Sequence, residues 1–383
     1  MTDRPGELLV VTTAHPPNDK RVYHKFVHSF LAEGWNVSWV GPRPLHDWDG
    51  GLDSRIKYIW AHPVGNRVDR VLSQWRVGRV ARKMDLSPDW ILCPNPDSIS
   101  IGLDLRKKLG AKVIFDLQEV YHATHVEHWV KSSKVHVVNS LIERHIERSA
   151  ASADLTVAVS RGVIDAYMKG LSNGVMMRNC PPRWFAGSEG PATYTPNSDF
   201  RVMHGLIGSN RGTREIISAL GAYAGNSGRI ILSCFGDKGA LGKIAPAGLD
   251  FVGKSRDGRF VIDLMDPVPY ETMPDHLRDC RAGIVSYTGM MAGPNLANRV
   301  FEYMALGVPV LAPEQSPEIV EVVRSTRSGL VYDLAQPSSL LGAIEELQGD
   351  PGLGRELGQN GRRAFLEEYT WESQFQHLLE RMR

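Results

Sequence analysis

Between Asn295 and Ala312 the chain gathers side chains whose chemistry suits a nucleotide: the amides of Asn295 and Asn298, the guanidinium of Arg299 and the carboxylate of Glu302. Val300, Phe301, Met304 and Ala305 fall at helical spacing, which predicts a helix with Asn298 as its N-cap and Gly307 as the left-handed residue that stops it. Residues 308–312 then read as a short buried strand. A helix over 298–306 is only about 13 Å long, so its amino end and Glu302, one turn inside, reach the same ligand. Unbonded N–H groups and the positive end of the helix dipole attract a diphosphate. A carboxylate accepts hydrogen bonds from both hydroxyls of a ribose. The plain alternative pairs Glu302 with Arg299 at i, i+3 on an ordinary helix-to-strand corner.

Other polar residues sit where strands end. The loop 205–212, with Gly205, Gly208 and Gly212, lies between a strand at Val202 to His204 and a helix opening at Thr213 or Arg214, a glycine spacing that is by itself a weak signal for phosphate. A strand at 230–235 runs into Gly236-Asp237-Lys238, where Lys238 reads as a second phosphate contact or as a solvated turn lysine. In the first half, a strand at 8–12 leads through His15, Asp19 and Arg21 into a helix carrying Phe26, Phe30 and Leu31, then a strand at 37–40. That order opens a parallel sheet, and such sheets bind ligands outside the carboxyl ends of their strands, which aims His15, Asp19 and Arg21 at a site. Asp19 as a simple helix cap, with Arg21 in the first turn, is the alternative. Strands at 90–93 and 113–115 follow, the second ending in Asp116-Leu117-Gln118, with His122 and His125 close behind. Asp47-Trp48-Asp49 is discounted as a metal-binding pair because it lies in a Gly- and Pro-rich turn.

The stretch from Asn295 to Leu311 resembles the donor-site signature of retaining glycosyltransferases of the two-Rossmann-domain GT-B architecture, close to glycosyltransferase family 4. There Asn-Leu-Pro-x-Lys-x-Phe-Glu-Tyr-Met-Ala-x-Gly-x-Pro-Val recurs; Ala297 and Arg299 replace the Pro and Lys. His15-Pro-x-x-Asp19-x-Arg21-Val, Arg211-Gly212, the segment from Leu264 to Tyr270 and Asn179-Cys180-Pro181-Pro182 are similar to further family segments, and the match at Arg211-Gly212 makes the loop 205–212 a candidate diphosphate clamp. The resemblance implies an α/β chain of two Rossmann-like domains facing each other across a cleft. These would be an acceptor-side domain at 1–186 joined by the returning tail 370–383, a linker at 187–199 and a donor domain at 200–369. It implies a sugar passed from a nucleoside-diphosphate sugar to a hydroxyl acceptor with retention, with neither metal nor cofactor. Arg211, Gln118 and Lys238 would serve the reaction, and Glu302, Asn298, Arg299, Asn295, Leu296, Gly208, Met265 and Val268 the donor. His15, Asp19, Arg21 and His122 would face the acceptor. Two positions depart from the pattern: Gln118 stands where the family often has His, and Pro294 where it often has a sugar-binding Glu. A sugar-nucleotide epimerase of the same fold, or a degenerate transferase that activates a partner, stays open.

Composition bounds the rest. At 383 residues and 42% apolar content the chain is too long for one typical core and fits two domains. A net charge of +1 gives a whole-molecule field that argues neither for a nucleic-acid partner nor for strong membrane attraction, and no nucleic-acid partner is expected. Cys93, Cys180, Cys234 and Cys280 are scattered without zinc spacing and read as buried, reduced thiols. Residues 66–84 predict a helix with an apolar stripe of Val68, Val71, Leu72, Trp75, Val80 and Met84. Its other faces carry Arg67, Arg70, Arg76, Arg79 and Arg82, either a basic surface for anionic lipid or a phosphate-bearing acceptor, or the solvated arginines of a helix that simply covers the sheet. The expectation is a cytoplasmic protein working at the inner membrane face on a cell-surface glycan or glycolipid.

Overall fold

The computed structural model describes residues 5–43, 52–63, 67–121, 135–187, 199–223, 228–245, 258–289 and 292–383. They form two compact units: residues 1–179 with 374–383, and residues 180–373.

Each unit is built on a parallel sheet. In the first, β1 (Glu7–Val11), β2 (Asn36–Arg43), β3 (Ile56–Pro63), β4 (Trp90–Cys93), β5 (Lys112–Leu117), β6 (Leu155–Ala158) and β7 (Gly174–Met176) lie in the order β3-β2-β1-β4-β5-β6-β7. β1 is the hinge of that order: Leu8 pairs with Val37 of β2 on one side and with Trp90 of β4 on the other. The central strands are continuous apolar runs because helices cover both faces of the sheet, and Val10 and Val11 are wholly buried. In the second unit, β8 (Phe200–Leu206), β9 (Ile230–Phe235), β10 (Phe260–Met265), β11 (Ala282–Ile284), β12 (Val310–Pro313) and β13 (Gly329–Tyr332) lie in the order β10-β9-β8-β11-β12-β13. Here the order reverses at β8, with Val202 paired to both Leu232 and Ala282. Open α/β sheets bind ligands where the order reverses, which selects the loops after β1 and β4 in one unit and those after β8 and β11 in the other.

The helix Asn298–Leu306 forms as expected and ends at Gly307, whose φ of 68° is the left-handed stop. Its start differs. The capping position is Ala297, extended at φ −69° and ψ 128°, so Asn298 is already inside the first turn and makes no side-chain cap. The buried face packs on the helix Pro351–Glu367 through glycines: a Cβ at Gly358 would lie 2.0 Å from the Gly307 carbonyl oxygen, and one at Gly361 would lie 3.4 Å from the Met304 side chain. Arg362 donates from Nη1 to the Ala305 carbonyl at 2.6 Å and to that of Ala186 at 2.8 Å, bonding a last-turn carbonyl of the shorter helix.

The helix Arg67–Ala81 turns its small residues inward. Ser73, Val77 and Ala81 are buried, and Ser73 donates to the Thr13 carbonyl at 2.8 Å while His62 Nε2 meets its hydroxyl at 3.0 Å. Leu72 and Trp75, expected on the apolar stripe, are 41% and 60% exposed. Hydrogen bonding by Ser73, which periodicity of apolar residues ignores, fixes the helix at this rotation.

Candidate nucleotide-sugar site

In the second unit, the loops after β8 and β11 are tied to each other at the reversal point. Ser286 donates to the Arg211 carbonyl, Thr288 Oγ1 to the Ser209 carbonyl at 3.0 Å, and the Thr288 amide to the Asn210 carbonyl at 3.0 Å. Gly212, at φ 64°, lets the short turn over Ser209–Arg211 pass directly into the helix Thr213–Gly221. On the other side, Tyr303 donates to the Met203 carbonyl at 3.0 Å, and its ring lies flat on Gly283, where a Cβ would meet it at 2.3 Å. These contacts fix the helix carrying Arg299 and Glu302 against β8 and β11.

The charged groups are arranged as a ligand site would need. Arg299 does not pair with Glu302; its guanidinium donates to the His204 carbonyl and rests on Gly205, whose φ of 86° and missing side chain leave it room. Arg211 is half-buried nearby, since its charge and that of Arg299 add to burial in holding the His204 imidazole well below its ordinary pKa. Glu302 is half-buried, and among the described residues its carboxylate has no hydrogen bond or ion pair. Its charge is felt by Tyr270, whose hydroxyl is pushed well up by burial first and by Glu302 second. Two guanidinium groups beside one strand end and a free carboxylate one turn along a helix can hold a diphosphate and a diol together.

The other expected donor residues are placed unequally. Leu296 is buried in the core and Asn295 is half-buried, while the Asn298 amide makes no hydrogen bond among the described residues. Gly208 differs from expectation: its N–H is turned inward to Thr213 Oγ1 at 3.0 Å, which leaves the clamp to Arg211 and the rest of the turn. Lys238 is exposed at the first position of the helix Lys238–Ile244, which Asp237 caps by accepting from the Ala240 amide at 2.9 Å. Met265 and Val268 are half-buried after β10, with the Met265 carbonyl held by the Gly236 amide at 2.9 Å.

In the first unit, His15 and Asp19 meet at the end of β1. His15 Nδ1 lies 3.1 Å from Asp19 Oδ2, and Asp19 Oδ1 accepts from the amides of Arg21 at 2.9 Å and Val22 at 2.7 Å. Burial alone would raise this carboxyl, but the hydrogen bond and charge of His15 with the two amides outweigh it and hold the pKa below the usual value. Asp19 therefore caps the wide π-type turn Val22–Val27 that leads into the helix His28–Ala32 and also orients an imidazole.

Arg21 is turned into the interior of the unit. It is 2% exposed and grips the fully buried Asp116 with two bonds, Nη2 to Oδ1 at 2.7 Å and Nε to Oδ2 at 2.9 Å. Gln118 completes that pair: its Nε2 donates to Asp116 Oδ2 at 3.1 Å and to the Pro94 carbonyl at 3.0 Å. Only its Oε1 is left to accept from a ligand. His122, His125, Asp47 and Asp49 lie outside the described residues, as do the side chains of Arg67 and Arg70.

Sequence reading missed His204, Thr213 and Arg362. A polar residue ending an otherwise apolar run, Val202-Met203-His204, was the available signal for the first. The role of Arg362, bonded to carbonyls far away in sequence, has no local signal.

Residues 237–380 match the family model described as glycosyl transferase-like. No curated protein sequence matches the chain. Among solved structures, a sucrose-phosphate synthase from Thermosynechococcus elongatus superposes with a TM-score of 0.72 at 15% identity, covering 98% of each chain. Anabaena HepE in complex with UDP gives 0.66 at 12% identity, over 98% of this chain and 99% of HepE. The lipopolysaccharide outer core galactosyltransferase WaaB gives 0.61 at 13%, over 98% and 99%. The fold is thus the one these glycosyltransferases share, the GT-B class of two Rossmann-like parallel-sheet units.

Proposed function

We propose that the protein is a glycosyltransferase that moves a sugar from a nucleoside-diphosphate sugar to a hydroxyl acceptor. The observation that carries this reading is the unpaired, half-buried carboxylate of Glu302, one turn from an Arg299 that is seated on backbone beside Arg211. Glu302 accepts from the ribose hydroxyls. Arg299 and Arg211 hold the diphosphate and stabilise the charge that grows on it as the sugar departs. Exposed Lys238 adds a third cation to the phosphates. Retention at the sugar carbon, with a leaving-phosphate oxygen taking the acceptor proton, is the finer form of the proposal. HepE is solved with UDP and with UDP-glucose, so a uridine donor heads the candidates.

A thermal-shift panel of UDP-, GDP-, ADP- and TDP-sugars identifies the donor, because a ligand at 100 times its dissociation constant stabilises by about 2.7 kcal/mol. Glu302→Ala then weakens that donor at unchanged stability, and Arg211→Ala chiefly lowers turnover. Full activity in both variants overturns the assignment. Donor incubated alone separates the rivals: an isomer seen by NMR marks an epimerase, and nucleotide binding without turnover marks a partner activator.

The exposed face of the helix Arg67–Ala81 favours a second, finer reading, contact with an anionic membrane surface. Trp75 is 60% exposed with the Arg79 guanidinium 5.5 Å from its ring centre, and Leu72 stands beside it. Arg76, Arg79 and Arg82 supply charge, although Arg82 is paired with Asp104 at 2.8 Å. The helices of the described residues include none long and apolar enough to cross a membrane. Flotation with anionic vesicles tests the reading: binding at low salt is lost at physiological salt and in Arg76→Ser/Arg79→Ser. No binding at low salt rejects it.

A further inference from the structure

At the carboxyl end of β8 one residue holds two parts of the donor site. His204 is wholly buried, and its main-chain carbonyl accepts from the Arg299 guanidinium. Its Nε2 lies 2.8 Å from the hydroxyl of the equally buried Thr213, and that same hydroxyl oxygen accepts from the Gly208 amide at 3.0 Å. Gly208, Arg211 and Thr213 belong to one turn and helix start, so a displaced Thr213 side chain moves the phosphate-facing turn with it.

The protonation follows from the surroundings. An imidazolium here would be stripped of water beside two guanidinium groups, so the ring is neutral, with one N–H and one lone pair. Nδ1 is buried and has no hydrogen-bond partner among the described residues, while Nε2 has the Thr213 oxygen. Either neutral tautomer bonds Nε2 to the Thr213 hydroxyl, as donor when it carries the N–H and as acceptor when Nδ1 does. Thr213 Oγ1 also accepts from the Gly208 N–H, so the hydroxyl is held from both sides in either case. An apolar residue would fill this end of β8 without an unsatisfied nitrogen. What the imidazole adds is a fixed link between the strand that seats Arg299 and the turn that carries Arg211.

We propose that His204 is a positioning residue that sets the spacing of Arg299 and Arg211 around the donor diphosphate, acting on Arg299 through its carbonyl and on the Arg211 turn through Thr213. The assignment rests on the transferase reading of the same site. It predicts that the link matters more as charge develops on the diphosphate than in the resting complex, since a cation displaced by about 1 Å costs up to 100-fold in rate.

The test replaces Thr213 rather than His204, because Val keeps the shape and removes only the oxygen. With the donor found in the thermal-shift panel, Thr213→Val lowers kcat by roughly 10- to 100-fold while UDP affinity by calorimetry changes less than about threefold. Thr213→Ser, which restores the oxygen, recovers most of the rate. Long-range 15N NMR of the histidine ring reports a neutral imidazole for His204 in the wild type, and its Nε2 shift moves in Thr213→Val but not in Thr213→Ser. Wild-type kcat in Thr213→Val, equal loss in the Val and Ser variants, or a charged imidazolium overturns this assignment alone. A wild type that binds no nucleoside diphosphate overturns the transferase reading and this assignment with it.

Discussion

The helix Pro351–Glu367 carries glycines whose replacement by alanine gives opposite results, and the difference measures how the site helix is held. Alanine is favoured over glycine in a helix interior by about 1 kcal/mol. At Gly354 a Cβ meets nothing within 4 Å, so Gly354→Ala gains that preference without penalty. At Gly358 the same atom lies 2.0 Å from the Gly307 carbonyl oxygen and 2.9 Å from its carbon. Both are backbone atoms and cannot swing aside, so the helices must separate by roughly 1 Å, and overpacking of this kind costs about 1–3 kcal/mol. Separation also stretches the 2.6 Å bond from Arg362 to Ala305, a charged hydrogen bond worth about 1.5–3 kcal/mol. Gly354→Ala is therefore expected to stabilise by about 0.5–1 kcal/mol, and Gly358→Ala to destabilise by about 1–3 kcal/mol net of its helix preference. Urea unfolding followed by tryptophan fluorescence, with the two variants and wild type side by side, gives the order of midpoints. Gly358→Ala at or above the wild-type midpoint, or Gly354→Ala clearly below it, refutes the packing argument.

Three further outcomes are expected. Asp116→Ala strands the buried Arg21 guanidinium without its carboxylate and should cost about 3–5 kcal/mol in denaturant unfolding, whereas Arg21→Met/Asp116→Leu recovers most of it; loss of activity at full stability would instead mean that Arg21 meets a ligand. Cys93, Cys234 and Cys280, their thiols pushed up to about 12 by burial first, should resist iodoacetamide at pH 8 in the folded protein and react fully in urea, as mass spectrometry will report; rapid labelling of the folded chain contradicts their burial. His204 has a folded pKa below its unfolded one, so below about pH 6.5 the unfolded chain binds a proton that the folded chain refuses, and stability falls by up to about 1.4 kcal/mol per pH unit from this residue. Unfolding midpoints at pH 8, 6 and 5 should show that slope in the wild type and a shallower one in His204→Gln; equal slopes reject the buried neutral ring.

The alternating strands and helices of both sheets are legible because each strand is a short apolar run bounded by turn residues, and the helix Asn298–Leu306 because its spacing and Gly307 stop are local signals. What local pattern does not carry is where a polar side chain spends its hydrogen bonds. Arg21 and Gln118 look like ligand contacts in sequence, yet the buried Asp116 takes bonds from both, through pairings set by the meeting of β1 and β5 loops. Asn298 missed the cap by one position because Ala297, with no side-chain acceptor at all, adopts the extended backbone that a cap needs. The rotation of the helix Arg67–Ala81 was misread for the same reason: Ser73 bonding to the Thr13 carbonyl outweighs exposure of Trp75.

The membership of residues 374–383 in the first unit makes that unit discontinuous, with the whole second unit inserted into it. Phe375 stacks edge-on against Phe30 at 5.0 Å, Gln374 accepts from the Arg178 amide at 3.1 Å, and Arg381 donates to the Ser172 carbonyl at 2.6 Å. During synthesis the first 179 residues must wait for the last ten. At about 5–20 residues per second, the roughly 200 residues in between take about 10–40 s to make, during which Phe30 has no Phe375 to cover it. The second unit has no such gap and can close first. The domain that is made first is thus the one completed last, and removing the final ten residues should expose the early half of the chain to proteases while the later half keeps its fold.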